Sequence, residues 1–322
     1  AGYTVPGQAG MAGWRDVSGI EIGYVNSWSH IICKIARIEA DGDAARIVML
    51  QPGYFLASRK EGVRAETPAY LENARELLDE PGEFYFDRVA HTLEYLPREG
   101  EDMATAECVV PALERLVDVA GTLDAPVEGI RFEGVTFAEA TWLSTNVKGL
   151  ADVQANFASP ETGIGERDGF IYPIHNEAIK SPANVRLHAT HGVVFERCNF
   201  TRLGGAGLDI ECGSQDNMVS GCRFYDISGS AVQIGDVLRE DHHPSDPRSI
   251  VKGNHVENCL IHDIGVEYED SIGVFAGYTQ ETVIAHNEIR DLPYSGISMG
   301  WGWGEEDEGG GGYTIPYRFS TP

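Results

Sequence analysis

The chain has 322 residues, 42% of them hydrophobic, enough to bury a sizeable core and too many for a disordered chain. Asp and Glu total 50 against 24 Lys and Arg, and the resulting formal charge of −26 repels phosphate backbones and anionic lipid surfaces. The expected partners therefore include neither nucleic acid nor membrane.

The first residues, AGYTVPGQAGMAGW, carry no signal pattern, no apolar run approaches the ~18–20 residues of a membrane span, and the chain reads as a piece of something longer, truncated at its C-terminal end. Ile20, Ile22 and Tyr24 alternate, as do Ile31, Cys33 and Ile35. PGEFYFDRVAHTLEYLP predicts a hairpin with strands 83–87 and 92–96, and YLENARELL (70–78) is a short helix at most. Residues 1–124 are thus expected to form a β-rich accessory domain, with the junction near Thr122–Pro126 and a second domain over 125–322. Residues 142–184 form a long Gly- and Pro-punctuated excursion of the kind that shapes a groove.

The second half repeats. Phe137, Phe200, Phe224, Ile261 and Ile289 anchor similar segments, with Val135, Cys198, Cys222, Cys259 and Asn287 two residues before them. A further strand with period-two alternation follows each later anchor, pointing Leu208, Val232, Ile272 and Ile297 inward with Ile210, Ile234, Val274 and Met299. Spacings of 24, 40 and 25 residues separate Ile210, Ile234, Val274 and Met299, which fits a parallel β-helix solenoid with one inserted loop. The fold class expected is all-β, and the cysteine column reads as an internal stack of small buried residues.

Stacking puts outward side chains of neighbouring coils about 5 Å apart, a separation at which two carboxylates can act on one bond. Asp209, Glu211, Asp236 and Asp270 come from three consecutive coils and could meet at one end of one sheet. The bland alternatives are chance in an acid-rich chain and, for Asp236, an Asx turn. His242 and His243 in DVLREDHHPSDPR could touch substrate. Adjacent imidazoles diverge in an extended chain, so no metal is expected there, and no cofactor is called for anywhere. Trp301 and Trp303 in GISMGWGWG, with Tyr278 and Tyr294, are candidate platforms for sugar rings; core packing is the alternative.

The segments GLDIECGSQDN, DISGSAVQIGD, DHHPSDPR, VEYEDSIGVFAGYT and HNEIRDLPYSGISMGWGWG resemble signature stretches of right-handed parallel β-helix repeat proteins of the pectate-lyase-like superfamily. YLENARELLDEPGEFYFDR and YLPREGEDM resemble the β-rich insertion such proteins carry. Within that superfamily the chain is similar to glycoside hydrolase family 141, which has α-L-fucosidase and xylanase activities and two implicated aspartates. The resemblance implies a secreted or cell-surface enzyme acting on a polysaccharide or oligosaccharide. It matches the aspartate pair to Asp236 and Asp270, with Asp209 as the substitute. Hydrolysis of a neutral or weakly charged glycan is the expected activity. A polyuronate lyase or epimerase is the alternative within the fold, disfavoured by a groove poor in Lys, and a non-catalytic glycan-binding solenoid is the alternative outside enzymes.

Overall fold

The computed structural model describes residues 1–60, 62–162, 164–173 and 178–300. The described residues are mostly β, with few and short helices and several parallel sheets. The chain divides into two compact units. The first comprises Ala1–Val109, Leu143–Asp152 and Asp168–Ile171, and the second comprises Val110–Trp142, Val153–Arg167 and the chain from Tyr172. The division falls at Val109, upstream of Thr122–Pro126, because Val117–Ala120 pairs in parallel with Ala183–His188 of the second unit.

In the first unit Gly2–Val5, Ala44–Met49, His30–Asp41, Glu21–Val25 and Tyr70–Glu72 form one sheet in that order, with antiparallel pairing. The segment 70–78, read as a short helix at most, begins with Tyr70–Glu72. That stretch is instead an edge strand, followed by a single helical turn at Arg75–Leu77, because Gly23 leaves open the space that the Tyr70 ring fills. The hairpin is present as Phe84–Asp87 against Thr92–Tyr95. The two central strands are buried on both faces over Glu21–Tyr24 and His30–Ile35, so polar cross-strand partners enter the core. Glu21 and Lys34 are register partners, and the Lys34 ammonium donates to the Glu21 carboxylate at 2.7 Å and to the Gly19 carbonyl at 2.9 Å.

In the second unit the chain visits three parallel sheets repeatedly in the same order. One holds Arg131–Glu133, Val194–Glu196, Met218–Ser220, His255–Glu257 and Val283–Ala285; the next holds Thr136–Ala140, Asn199–Leu203, Arg223–Ile227, Leu260–His262 and Glu288–Arg290. The third, here the site sheet, holds Val117–Ala120, Ala183–His188, Ala206–Glu211, Val232–Ile234, Val274–Ala276 and Ile297–Met299. Between the first two, the chain turns at Gly134, Arg197, Gly221, Asn258 and His286, all with φ between 51° and 65°. Non-glycine residues resist that left-handed conformation by roughly 1–2 kcal/mol. The amides of Gly134, Arg197, Gly221 and Asn258 are satisfied by the neighbouring turn, as in Arg197 N–H to Ser220 O at 3.0 Å and Asn258 N–H to Ala285 O at 3.2 Å.

Register turns the repeat into a core. Phe137, Phe200, Phe224, Ile261 and Ile289 are consecutive partners, and Phe200 stacks on Phe137 at 4.9 Å and on Phe224 at 4.4 Å. Such ring pairs add about 0.5–1.5 kcal/mol each beyond area burial. Cys198, Cys222 and Cys259 are buried beside them. The Cys198 amide donates to the Cys222 thiol, and at the end of the column the Asn287 side chain accepts from the Cys259 amide at 2.9 Å.

Candidate active site

The outer face of the site sheet carries a row of residues in register, Asp118, Arg186, Asp209, Gln233 and Phe275, from successive strands. Period-two alternation puts them there, since Val185, Leu208, Val232 and Val274 on one side and Leu187, Ile210, Ile234 and Ala276 on the other fill the interior. Three of these outward residues are nonetheless buried, because the excursion lies across them. Phe157–Ala158 pairs antiparallel with Ile179–Lys180, and the Phe157 ring meets Phe275 edge-on at 5.2 Å. The Gln233 amide nitrogen donates to the Ser181 hydroxyl at 3.0 Å.

This covering segment delivers Lys180 to Asp209. The Lys180 ammonium donates to Asp209 Oδ1 at 2.8 Å and to the Gly235 carbonyl at 2.8 Å, and lies 3.7 Å from Asp236 Oδ2. Gly235 makes the arrangement possible: its φ of +72° turns the chain out of Val232–Ile234, and a Cβ there would stand 2.7 Å from the Thr279 side chain. Next to it Asp236 accepts the Val237 amide at 2.8 Å through Oδ1. On the far side of Asp209, Glu211 accepts from Arg186 at 2.5 Å and lies 3.1 Å from His188 Nδ1. Arg186 and Arg115 both reach Asp118, at 3.6 and 3.1 Å. Arg115, Lys180, Arg186, Asp209, Glu211 and Asp236 line one cleft of about 300 Å³.

The carboxyl groups differ in accessibility and charge state. Asp209 is 4% exposed, whereas the side chains of Asp236 and Glu211 are 21% and 25% exposed. Burial pushes the Asp209 carboxyl up to about 7, against the pull of the Lys180 ammonium. Glu211 is buried too, but Lys180 and Arg186 hold it below the usual carboxylate range. Lys180 is held above the usual lysine range: burial disfavours its charge, and Asp209, Asp236 and Glu211 together outweigh that. Asp241, on the helical turn Arg239–His242, is pushed up to about 7 by burial and by the Asp236 charge. The cleft thus holds acids of unlike protonation state around one fixed cation.

Of the residues the sequence proposes, Asp209, Glu211 and Asp236 come together. Asp270 does not line this cleft. It is 2% exposed and accepts the Asn156 amide at 2.5 Å, where Ala155 and Asn156, both at φ 59°, form the tip of the turn before Phe157. Tyr278 is buried against the His242 ring at 4.6 Å, so it offers no open face to a sugar, and its amide donates to the Asp236 carbonyl at 3.0 Å. His242 is likewise buried, while His243 is exposed. Tyr294 packs against the apolar cluster that includes Phe157 and Phe275, and its hydroxyl accepts from Gln154 at 2.9 Å, outside the cleft lining. Trp301 and Trp303 lie outside the described residues. Among the described residues no three His, Cys, Asp or Glu side chains are grouped to hold a metal ion.

Sequence reasoning missed Lys180, Arg186 and Arg115, and the groove is richer in cations than expected. Arg186 had a usable signal, since Val185 and Leu187 extend the alternation 23 residues upstream of Leu208 and Ile210. For Lys180 the signal was weaker: one of five lysines in an acidic chain, set in the excursion.

Residues 3–98 match the model of the GH141 insertion domain. A solved glycoside hydrolase is similar over 89% of this chain, with 34% identity and a TM-score of 0.78, and the chain spans about half, 52%, of that protein's length. No curated protein matches the sequence. The chain is therefore similar to glycoside hydrolases in two independent respects, an insertion domain of the GH141 type and a fold shared with a solved enzyme of that class.

Proposed function

We propose that the protein is a carbohydrate-active enzyme that hydrolyses glycosidic bonds in this cleft, and that its three parallel sheets are the faces of a right-handed β-helix of the pectate-lyase-like kind. The observation that carries the reading is the unlike pair Asp209 and Asp236, both lining the cleft and both facing the Lys180 ammonium. Asp209, with its carboxyl raised to about 7, donates a proton to the departing glycosidic oxygen. Asp236, the more exposed of the two, acts on the other side as base toward water or as nucleophile. In the hydrolytic outcome the C–O bond breaks, the leaving sugar keeps the Asp209 proton, and water supplies the new hydroxyl. Asp270, matched to the pair by resemblance, serves here to hold the Asn156 turn.

Three cations in the cleft lining are the one feature that favours the lyase alternative, because uronate chemistry needs cations and a base. Lys180 argues against it: held above its usual range by three carboxylates, it stays an ammonium and cannot abstract a proton. The test is product chemistry on xylan, pectin and an aryl α-L-fucoside. New reducing ends or released phenol without ultraviolet-absorbing unsaturated sugar support hydrolysis. Unsaturated product from pectin overturns it, and glycan binding without any bond cleavage favours the binding-module reading.

A further inference from the structure

Lys180 stands in the wall of the cleft with its side chain 5% exposed, and its ammonium is bonded to a backbone carbonyl and to Asp209 Oδ1. Its bonded partners are a carboxyl group and a carbonyl of the fold itself, and it arrives from a segment foreign to the repeat, laid across the sheet by Phe157 and Ser181. We propose that Lys180 is a positioning residue which fixes the charge of the Asp209–Asp236 pair and is preorganised for the negative charge that appears on Asp209 as it gives up its proton.

The geometry supplies the reason. Asp209 Oδ1 holds the lysine hydrogen bond, which leaves Oδ2 as the proton site. When that proton passes to the glycosidic oxygen, a buried neutral acid becomes a buried anion. The ammonium at 2.8 Å meets that anion without reorganisation, so the contact strengthens along the reaction coordinate. The Gly235 carbonyl keeps the ammonium from following either carboxylate. The groups facing Lys180 are Asp209 and Glu211 from Ala206–Glu211, Asp236 from the turn after Val232–Ile234, and Asp241 from Arg239–His242. Arg186 and His188 stand behind Glu211. Four acids against one inner cation mean that removing the ammonium releases repulsion among the acids.

The catalytic consequence rests on the hydrolase reading; the charge-setting role does not, and it is read in the protein without any glycan. Carboxyl-carbon NMR titration of aspartate-labelled protein compares wild type with Lys180→Met and Lys180→Arg. In Lys180→Met the Asp209 midpoint, about 7 in the wild type, should rise by about 1–3 pH units, and Lys180→Arg should restore it. An unmoved Asp209 midpoint in folded Lys180→Met overturns the proposal. If Lys180→Met does not fold, the same change in an Asp209→Asn background removes both members of the buried pair. There the Asp241 midpoint, about 7 in the wild type and held down by the Lys180 charge, must rise relative to Asp209→Asn alone, and a fixed midpoint overturns the proposal. On whichever probe the wild type cleaves, Lys180→Met should lower kcat about ten- to a thousandfold with KM held and move the alkaline limb upward by the same 1–3 units, with rescue by Arg. A merely structural lysine would leave that limb in place. A wild type that cleaves none of the probes fails the hydrolase reading, and the titration still decides the role of Lys180.

Discussion

Each unit of the molecule holds a buried lysine–carboxylate pair, Lys34 with Glu21 and Lys180 with Asp209, and the two pairs are built from the same parts. Lys34 donates to a carboxylate, Glu21, at 2.7 Å and to a glycine carbonyl, Gly19, at 2.9 Å; Lys180 donates to Asp209 and to the Gly235 carbonyl, both at 2.8 Å. They differ in what surrounds the pair. Lys34 meets one inner carboxylate between two strands buried on both faces, and burial pulls it below the usual lysine range. Lys180 meets Asp209, Asp236 and Glu211 at the wall of a cleft and is held above that range. A one-to-one pair closes a core. A surplus of acids around one cation leaves a proton in play, which is what acid–base chemistry needs.

Breaking each pair sharpens the contrast. Lys34→Met strands Glu21 in the core and is expected to cost about 3–5 kcal/mol in denaturant unfolding of the first unit, with glycan turnover per folded molecule unchanged. Replacing both members with apolar residues should recover most of that loss; an uncorrected loss would mean the pair does more than neutralise itself. Lys180→Met should destabilise less at pH 5.5 than at pH 8, because Asp209 takes up a proton as the pH falls below about 7.

The pH dependence of stability separates the units next. Asp209 and Asp241 titrate near 7 in the fold and near 3.9 in the unfolded chain, so the folded state binds more protons in between. Their contribution is fully present below about pH 4 and is lost as pH rises through about 7, a matter of a few kcal/mol. Glu211, held low, works in the opposite sense and loses its contribution as pH falls. Unfolding of the second unit should therefore be harder at pH 5 than at pH 8, and Asp209→Asn should flatten that difference. A slope unaffected by Asp209→Asn would place its proton elsewhere.

Smaller effects follow at the margins of the cleft. Asp270→Asn should cost about 1–3 kcal/mol through the Asn156 turn and leave most turnover intact. Glu211→Gln, freeing the half-exposed Arg186, should change stability by less than about 1 kcal/mol.

The repeat was legible because register demands it: Phe137, Phe200, Phe224, Ile261 and Ile289 must fall in one column for a shared interior, and they do. Asp209 was legible for the same reason, as an acid between Leu208 and Ile210 that only an outward face explains. Its burial was not, because the cover comes from Phe157 and Lys180, residues outside any period. The burial of Asp270 and Tyr278 was hidden on the same ground: alternation gives direction from the sheet, but not what lies on top of it. Val117–Ala120 was hidden by distance, its strand partner Val185 lying 68 residues on.

The most direct measurement is turnover of a cleaved glycan by the folded variants Asp209→Asn, Asp236→Asn and Asp270→Asn side by side. Losses of about a hundredfold or more in the first two, with Asp270→Asn close to wild type, are expected if the acids around Lys180 do the chemistry. An inactive Asp270→Asn beside active Asp209→Asn and Asp236→Asn would contradict it.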